Sequence, residues 1–109
     1  MNILEMFAQD KNWKFSTKET FTGINNFKNI TILLLPKWSD KDLVLVESIH
    51  TKINKISDEV YVFDIDELLT LDVIENLFPG TFSITSTPVI LEYRNGVLNK
   101  ILQGDDIKT

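Results

Sequence analysis

The chain has 109 residues, 43% of them hydrophobic and 25% charged, which fits one globular domain spanning residues 1–109. Its net charge of −5 and its 11 scattered basic residues argue against a nucleic acid or an anionic membrane as the main partner. It has no cysteine, which excludes disulfides, zinc–cysteine sites and catalysis by a thiol of its own.

Residues 1–15 predict a helical N-terminal extension, because Ile3, Leu4 and Phe7 recur at helical spacing. Within it, NWKFS at 12–16 predicts either a brief strand or a packed aromatic connection. The start lacks the basic residues and long apolar stretch of a signal peptide. No apolar run approaches the ~20 residues that a transmembrane helix needs, so we expect a cytoplasmic protein.

The next two segments predict a helix and a strand. Thr17 is a candidate N-cap for a weak helix in which Phe21, Ile24 and Phe27 share a face. NITILLLP at 29–36 is almost continuously apolar and predicts a strand that is covered on both faces, as in a parallel sheet.

The longest helical pattern of the chain follows the polar turn at 39–42. Its apolar residues recur every three or four positions, at Leu43, Val46, Ile49, Ile53 and Ile56. Asp40 is the expected cap and Asp42 an acid of the first turn. His50 would lie ~15 Å along this helix, too far away to form a hydrolase triad with Ser39 and Asp42.

The last half of the chain predicts a strand, a helix and a hairpin. VYVFDI at 60–65 is a second buried strand, and 66–78 is a helix ended by Pro79 and Gly80. Asn95-Gly96 stands between two β-rich runs, which is typical of a two-residue hairpin turn. The fold class is therefore α/β, with a mixed central sheet flanked by helices and a C-terminal β-hairpin.

The segment FSITSTPVILEYRNGVLNKILQG at 82–104 resembles the C-terminal hairpin of the thioredoxin family. The positions that carry the resemblance are Ile84, Pro88, Arg94, Asn95, Gly96 and Gly104. Upstream, LLLPKWSDKD resembles that family's strand, Trp and redox turn, and FDIDE resembles the end of its third strand. The resemblance covers roughly residues 16–104 and implies a thioredoxin-like fold.

The same resemblance implies that the redox chemistry has been lost. The family signature is a Trp followed by Cys-x-x-Cys at a helix N-terminus, where the helix lowers the pKa of the first thiol. Trp38 is retained, but Ser39 and Asp42 stand in the two cysteine positions. Leu33 stands where the family buries a proton-accepting acid. The resemblance thus predicts a redox-inactive, non-catalytic module with no cofactor and no metal.

In the family, the proline that matches Pro88 is cis, and the backbone of the preceding residue, here Thr87, pairs with extended peptides. This implies a protein or peptide partner and a candidate docking surface. The surface consists of Trp38, Ser39, Asp40, Asp42, Thr87 and Pro88. The alternative is that Pro88 only begins a strand.

Two enzymatic alternatives use other residues. Ser39 at a helix N-terminus could bind an external thiol such as glutathione, as hydroxyls do in thioredoxin-fold transferases. Asp64 and Asp66 resemble the nucleophile motif of the haloacid dehalogenase family, a class of magnesium-dependent phosphatases, although Glu67-Leu68 replace its usual Gly-Thr. The simpler interpretation is that Asp64 ends a strand and Asp66 caps the next helix.

The C-terminus departs from the family. Thioredoxins close with an amphipathic helix after the glycine that matches Gly104, whereas only DDIKT follows here, so we expect a shortened or missing last helix. The sheet face that such a helix covers would then be covered by the N-terminal extension, by a second copy in a homodimer or by another partner.

Overall fold

The structure of the protein is a computed structural model that describes residues 13–21, 23–24, 28–36, 39–56, 59–68, 70–81 and 84–107. These residues form a five-stranded sheet with the strand order β1-β3-β2-β4-β5. Its strands are β1 (Trp13–Phe15), β2 (Asn29–Leu35), β3 (Glu59–Asp64), β4 (Val89–Arg94) and β5 (Val97–Gln103).

The sheet is mixed, as the order of elements in the sequence predicts. β1, β3 and β2 are parallel, whereas β4 runs antiparallel to β2 and β5 antiparallel to β4. Two α-helices are present in the described part of the chain, α1 (Asp40–Ile56) and α2 (Leu71–Leu77). Each follows a parallel strand, and none of the described helices is long and apolar enough to cross a membrane.

We call the side of the sheet that α1 covers the α1 face. Its buried residues are Trp13, Leu33, Leu35, Leu43, Val46, Ile49, Ile53, Val60, Val62, Ile90 and Ile107. The opposite side, the α2 face, buries Ile24, Ile30, Ile32, Leu34, Phe63, Leu68, Ile74, Phe78, Val89, Leu91 and Tyr93. Because side chains alternate along a strand, the apolar run of β2 contributes to both clusters.

The hairpin between β4 and β5 forms at the predicted turn. Asn95 and Gly96 have φ angles of 53° and 82°, the pair of positive values that a type I′ turn requires. Farther along, Glu92 pairs with Lys100 but Tyr93 pairs with Leu98, so one extra residue, Asn99, bulges from β5. The bulge keeps Lys100 on the same side of the sheet as Glu92.

The predicted helix at 66–78 is in fact two pieces. A 3-10 helix, Ile65–Leu68, follows β3 directly, and α2 begins only at Leu71. Thr70 is the N-cap of α2 and its side chain accepts a hydrogen bond from Val73 N. The expectation that Asp66 is a helix cap was therefore wrong, because Asp66 lies inside the 3-10 helix.

The structure can be compared with the predictions for the N-terminal extension and for the segment after the hairpin. NWKFS contains a strand, β1, while residues 1–12 of the predicted extension lie outside the described residues. After β5 comes a 3-10 helix, Gly104–Asp106. Ile107 then returns to the α1 face, where 7% of its surface is exposed.

Candidate functional site

The sheet brings the two halves of the candidate docking surface to one end of neighbouring strands. Leu34 of β2 pairs with Val89 of β4, so Pro88 lies beside the last residues of β2. From the end of β2 the chain turns back at Pro36, whose carbonyl oxygen accepts a hydrogen bond from Ser39 N at 3.1 Å. Residues 39–42 and 87–88 therefore leave the same end of the sheet; Trp38 lies outside the described residues.

Ser39 is the cap of α1, which corrects the prediction that Asp40 has this role. Its carbonyl oxygen accepts a hydrogen bond from Leu43 N at 3.1 Å. Its hydroxyl oxygen accepts one from Asp42 N at 3.4 Å. Asp40 is the first residue of the helix and is exposed to solvent. Ser39 thus has a structural role at the helix start, because it satisfies a backbone N–H that would otherwise lack a partner.

Asp42 is buried, which its interpretation as an ordinary first-turn acid did not predict. Only 5% of its surface is exposed, and its Oδ2 atom is inaccessible and makes no hydrogen bond. The signal was present in the sequence, because Asp42 precedes Val46, Ile49 and Ile53 at spacings that extend their buried stripe by one turn. The position that matches the second cysteine of the thioredoxin family is therefore occupied by a buried carboxyl group at the positive end of a helix.

The loop at 84–88 is held in place on both sides of Thr87. The side-chain oxygen of Gln103 accepts hydrogen bonds from Thr85 N at 2.7 Å and from Ser86 N at 3.3 Å. On the other side, Gly104 N donates to the carbonyl oxygen of Pro88 at 3.0 Å. The Thr87–Pro88 peptide bond is cis, as the resemblance implies.

Thr87 itself is half-buried, and none of the described residues hydrogen-bonds to its N–H or its C=O. Its neighbours Ser86 and Pro88 have backbone partners, whereas within the described part of the chain Thr87 presents a backbone donor and a backbone acceptor without one. A buried or half-buried backbone group without a hydrogen-bond partner costs free energy, and such groups usually pair with another protein group or with ordered water.

Gly104 lets the end of β5 approach this loop closely, because it has no side chain. It has a φ of 54°, and a Cβ atom built on it would collide with the Ser86 side chain. A side chain at this position would push Ser86 away and break the alignment of the loop. Sequence reasoning identified Gly104 only as part of the family pattern, and it missed Gln103 altogether, because a contact across 18 positions leaves no local signal.

The remaining candidate residues have structural roles. Leu33 has no exposed surface and packs into the α1 face, so no acid lies beneath the turn in that position. His50 packs against Trp13, with ring centroids 4.5 Å apart and the rings tilted by 40°. Asp64 is the last residue of β3, and its Oδ1 accepts a hydrogen bond from Asp66 N at 3.2 Å. Among the described residues, no group of three or more His, Asp or Glu side chains could hold a metal ion.

A second loop, at 78–81, is held by α2 and β4. The Glu75 carboxylate accepts hydrogen bonds from Gly80 N at 3.0 Å and from Thr81 N at 2.7 Å. These bonds, that of Gly80 first, hold the pKa of Glu75 below its ordinary value. Burial raises the pKa of the Tyr93 phenol, with the Glu75 charge acting in the same direction. The phenol therefore stays protonated and donates to the carbonyl oxygen of Pro79 at 2.7 Å.

This architecture is similar to that of solved thioredoxin structures. Thioredoxin F from spinach chloroplast, in its long form, superimposes on the chain with a TM-score of 0.56. The chain has a thioredoxin-like fold. The two sequences are 12% identical, and the alignment covers 94% of this chain and 83% of the other. No protein-family model and no curated protein matches the sequence.

The fold expected from the hairpin and the turn is thereby confirmed. The thioredoxin-like chain differs from a redox protein in one decisive respect, because it has no cysteine anywhere in its sequence. Thiol–disulfide exchange requires a thiolate that attacks a disulfide, and the chain has no residue that can supply one. What this end of the fold does offer is a capped helix start, a buried carboxyl group and the backbone of Thr87, which has no partner among the described residues.

Proposed function

We propose that this thioredoxin-like chain is a non-catalytic binding module that docks an extended segment of a protein partner against Thr87. The observation that carries the proposal is that no described residue pairs with the N–H or the C=O of Thr87, although its neighbours are already bonded. An extended peptide that adds itself to a sheet satisfies such groups with its own backbone, which is the physical basis of β-augmentation.

The bonds on either side of Thr87 favour docking over a purely structural role. Gln103 holds the residues before it and Gly104 holds the residue after it, so the backbone donor and acceptor are fixed before a peptide arrives. Such preorganisation lowers the conformational entropy that binding must offset. Ser39 and Asp40, at the start of α1, would contact side chains of the docked segment.

The proposal is tested with peptides selected from a random displayed library against the full chain. Each selected peptide is then synthesised with one backbone N-methyl group at each position in turn. We expect a single position at which N-methylation weakens binding about tenfold or more, because it removes the N–H that pairs with the Thr87 carbonyl oxygen. A scan with small and uniform effects at all positions would contradict backbone pairing.

A matched pair of variants locates the peptide on the protein. Thr87→Arg places a bulky side chain at the proposed site and should abolish binding. Thr85→Arg introduces the same side chain at an exposed residue of the same loop and should leave binding nearly unchanged. Equal losses in the two variants would place the peptide elsewhere.

The transferase alternative is separated from the binding module by turnover. With glutathione and an electrophilic acceptor, a binding module shows no thiol transfer above the uncatalysed rate. Reproducible turnover that disappears in Ser39→Ala would contradict the proposal and assign Ser39 a catalytic role.

A further inference from the structure

A second site lies on the α1 face, where a cavity of about 310 Å³ opens between α1 and the hairpin. Its apolar walls come from α1, β4, β5 and the segment after β5. They are formed by Ile49, Ile53, Ile90, Leu102 and Ile107. The volume is at the lower end of the roughly 300–1,000 Å³ that ligand pockets occupy, and none of the residues of the docking surface lines it.

The cavity arises because the sheet extends beyond α1 on the side of β5. The buried side chains of α1 pack with residues of β3, β2 and β4, while β5 is the next strand outward. Ile90 pairs with Leu102 and Glu92 with Lys100, so these four side chains share the α1 face beyond the helix. Ile107, which follows β5, also lines this space.

Four charged side chains surround the apolar walls, namely Lys52, Glu92, Lys100 and Asp106. None of them forms an ion pair with any residue in the described part of the chain. Lys52, Lys100 and Asp106 are exposed, and Glu92 is half-buried. The rim therefore carries two positive and two negative charges around a hydrophobic interior.

This pattern restricts the chemistry of a ligand. A hydrocarbon would match the apolar walls but would make no favourable contact with the four charges of the rim. A simple carboxylate would meet Lys52 and Lys100 but would also meet the repulsion of Glu92 and Asp106, and a simple amine would meet the reverse. A molecule with one charge of each sign and an apolar body is complementary to the rim and to the walls together.

We propose that the cavity binds a small hydrophobic peptide in its zwitterionic form, of the size of a dipeptide with two aliphatic side chains. The carboxylate of the peptide pairs with Lys52 and Lys100, and its ammonium group pairs with Glu92 and Asp106. The aliphatic side chains pack against Ile53, Leu102 and the other walls of the cavity. This site is independent of the docking surface at Thr87.

The test uses leucyl-leucine as the probe, titrated into the full chain while methyl signals of isoleucine and leucine are followed by NMR. We expect saturable shifts of the Ile90 and Leu102 methyl groups. N-acetyl-leucyl-leucine lacks the ammonium group and leucyl-leucine amide lacks the carboxylate, so each should bind roughly twofold to fivefold more weakly. Glycyl-glycine lacks the apolar body and should not bind.

Variants of the protein assign the contacts. Leu102→Trp fills the cavity and should abolish the shifts, whereas Val97→Trp on the same strand, at a residue that is 68% exposed, should not. The double variant Lys52→Gln with Lys100→Gln changes exposed residues only. It should weaken binding of leucyl-leucine but not that of the amide, because the amide lacks the carboxylate that the two lysines bind and, as a cation, is no longer repelled by them.

Four results would overturn the proposal. The first is no saturable shift at millimolar peptide, and the second is equal affinity for leucyl-leucine and both of its capped forms. The third is tighter binding of octanoate than of leucyl-leucine, since this would show that the anions of the rim contribute nothing. Unchanged binding in the lysine variant would likewise remove the charge recognition on which the proposal rests.

Discussion

The two faces of the sheet are closed by different means. On the α2 face, three phenylalanines pack ring against ring. The centroid distances are 5.3 Å for Phe21–Phe63, 5.6 Å for Phe21–Phe78 and 5.1 Å for Phe63–Phe78. The buried hydrophobic residues described on the α1 face are aliphatic apart from Trp13, and the cavity lies at the hairpin end of this face.

The length of the covering helix does not explain this difference. α2 has 7 residues and α1 has 17, yet it is the face under the longer helix that carries the cavity. The large rings of the α2 face fill the space that a short helix leaves, whereas the α1 face depends on Ile107 to cover the part of the sheet beyond its helix. Closure is therefore decided by side-chain volume and by the path of the chain after β5.

The largest effect is expected from Phe78→Ala on the α2 face. Phe78 has no exposed surface and contacts both other rings of the cluster, so its removal should leave a cavity and cost about 3–5 kcal/mol of the free energy of unfolding. Urea denaturation measures the loss. Val44→Ala, at a residue that is 66% exposed, is the control and should change stability by less than about 0.5 kcal/mol.

A smaller loss, about 2 kcal/mol, is expected from Ile107→Ala on the α1 face. Ile107 borders the existing cavity, so its truncation enlarges a space that solvent already reaches and does not create a closed void. The same urea titration measures it. If Ile107→Ala cost as much as Phe78→Ala, the two faces would be equally dependent on close packing and the comparison would fail.

Asp42→Ala should raise stability by about 1 kcal/mol. A buried polar atom without a partner, such as Asp42 Oδ2, costs about 1–3 kcal/mol, whereas the favourable effect of an acid at a helix N-terminus is about 0.3–1 kcal/mol. Because the first effect is larger, removal of the polar side chain is favourable on balance. Asp40→Ala, at an exposed position of the same turn, removes no buried polar atom and is the control. A loss of stability in Asp42→Ala would show that its carboxyl group is satisfied in solution.

The elements that the sequence predicts well are those with a strong local pattern. β2 and α1 follow from continuous and periodic apolar residues, and the hairpin from Asn95-Gly96. The break between the 3-10 helix and α2 was missed because no Gly or Pro marks it, and the cap at Thr70 is its one signal. Local patterns therefore predict where elements lie better than where they begin.

The candidate site was predictable only through the family resemblance, which placed 39–42 and 87–88 together. The bonds from Gln103 to the loop before Thr87 join segments that are 17 and 18 positions apart, and no pattern of neighbouring residues encodes them. The cavity is likewise a property of the assembled sheet, since its lining comes from α1, β4, β5 and the segment after β5. Neither feature has a local signature.

The smallest effect is expected from Glu75→Gln on the α2 face, and it should depend on pH. Because the hydrogen bonds from Gly80 and Thr81 lower the pKa of Glu75 in the folded chain, the unfolded chain binds more protons there around the ordinary pKa of about 4.3. The stabilisation is therefore complete above that value and is lost as the pH falls through the lowered pKa of the folded state.

The melting temperatures of the wild type and of Glu75→Gln should accordingly differ at neutral pH and converge in acid. Protonation gives the Glu75 carboxyl the same charge as the Gln amide, so the advantage of the wild type disappears once the folded state takes up the proton. Glu47→Gln, at an exposed residue of α1, is the control, and its difference from the wild type should not follow this course. A difference in melting temperature for Glu75→Gln that stays constant into acid would show that the shape of the Glu75 side chain, and not its charge, holds the loop at 78–81. Both faces would then depend on shape alone.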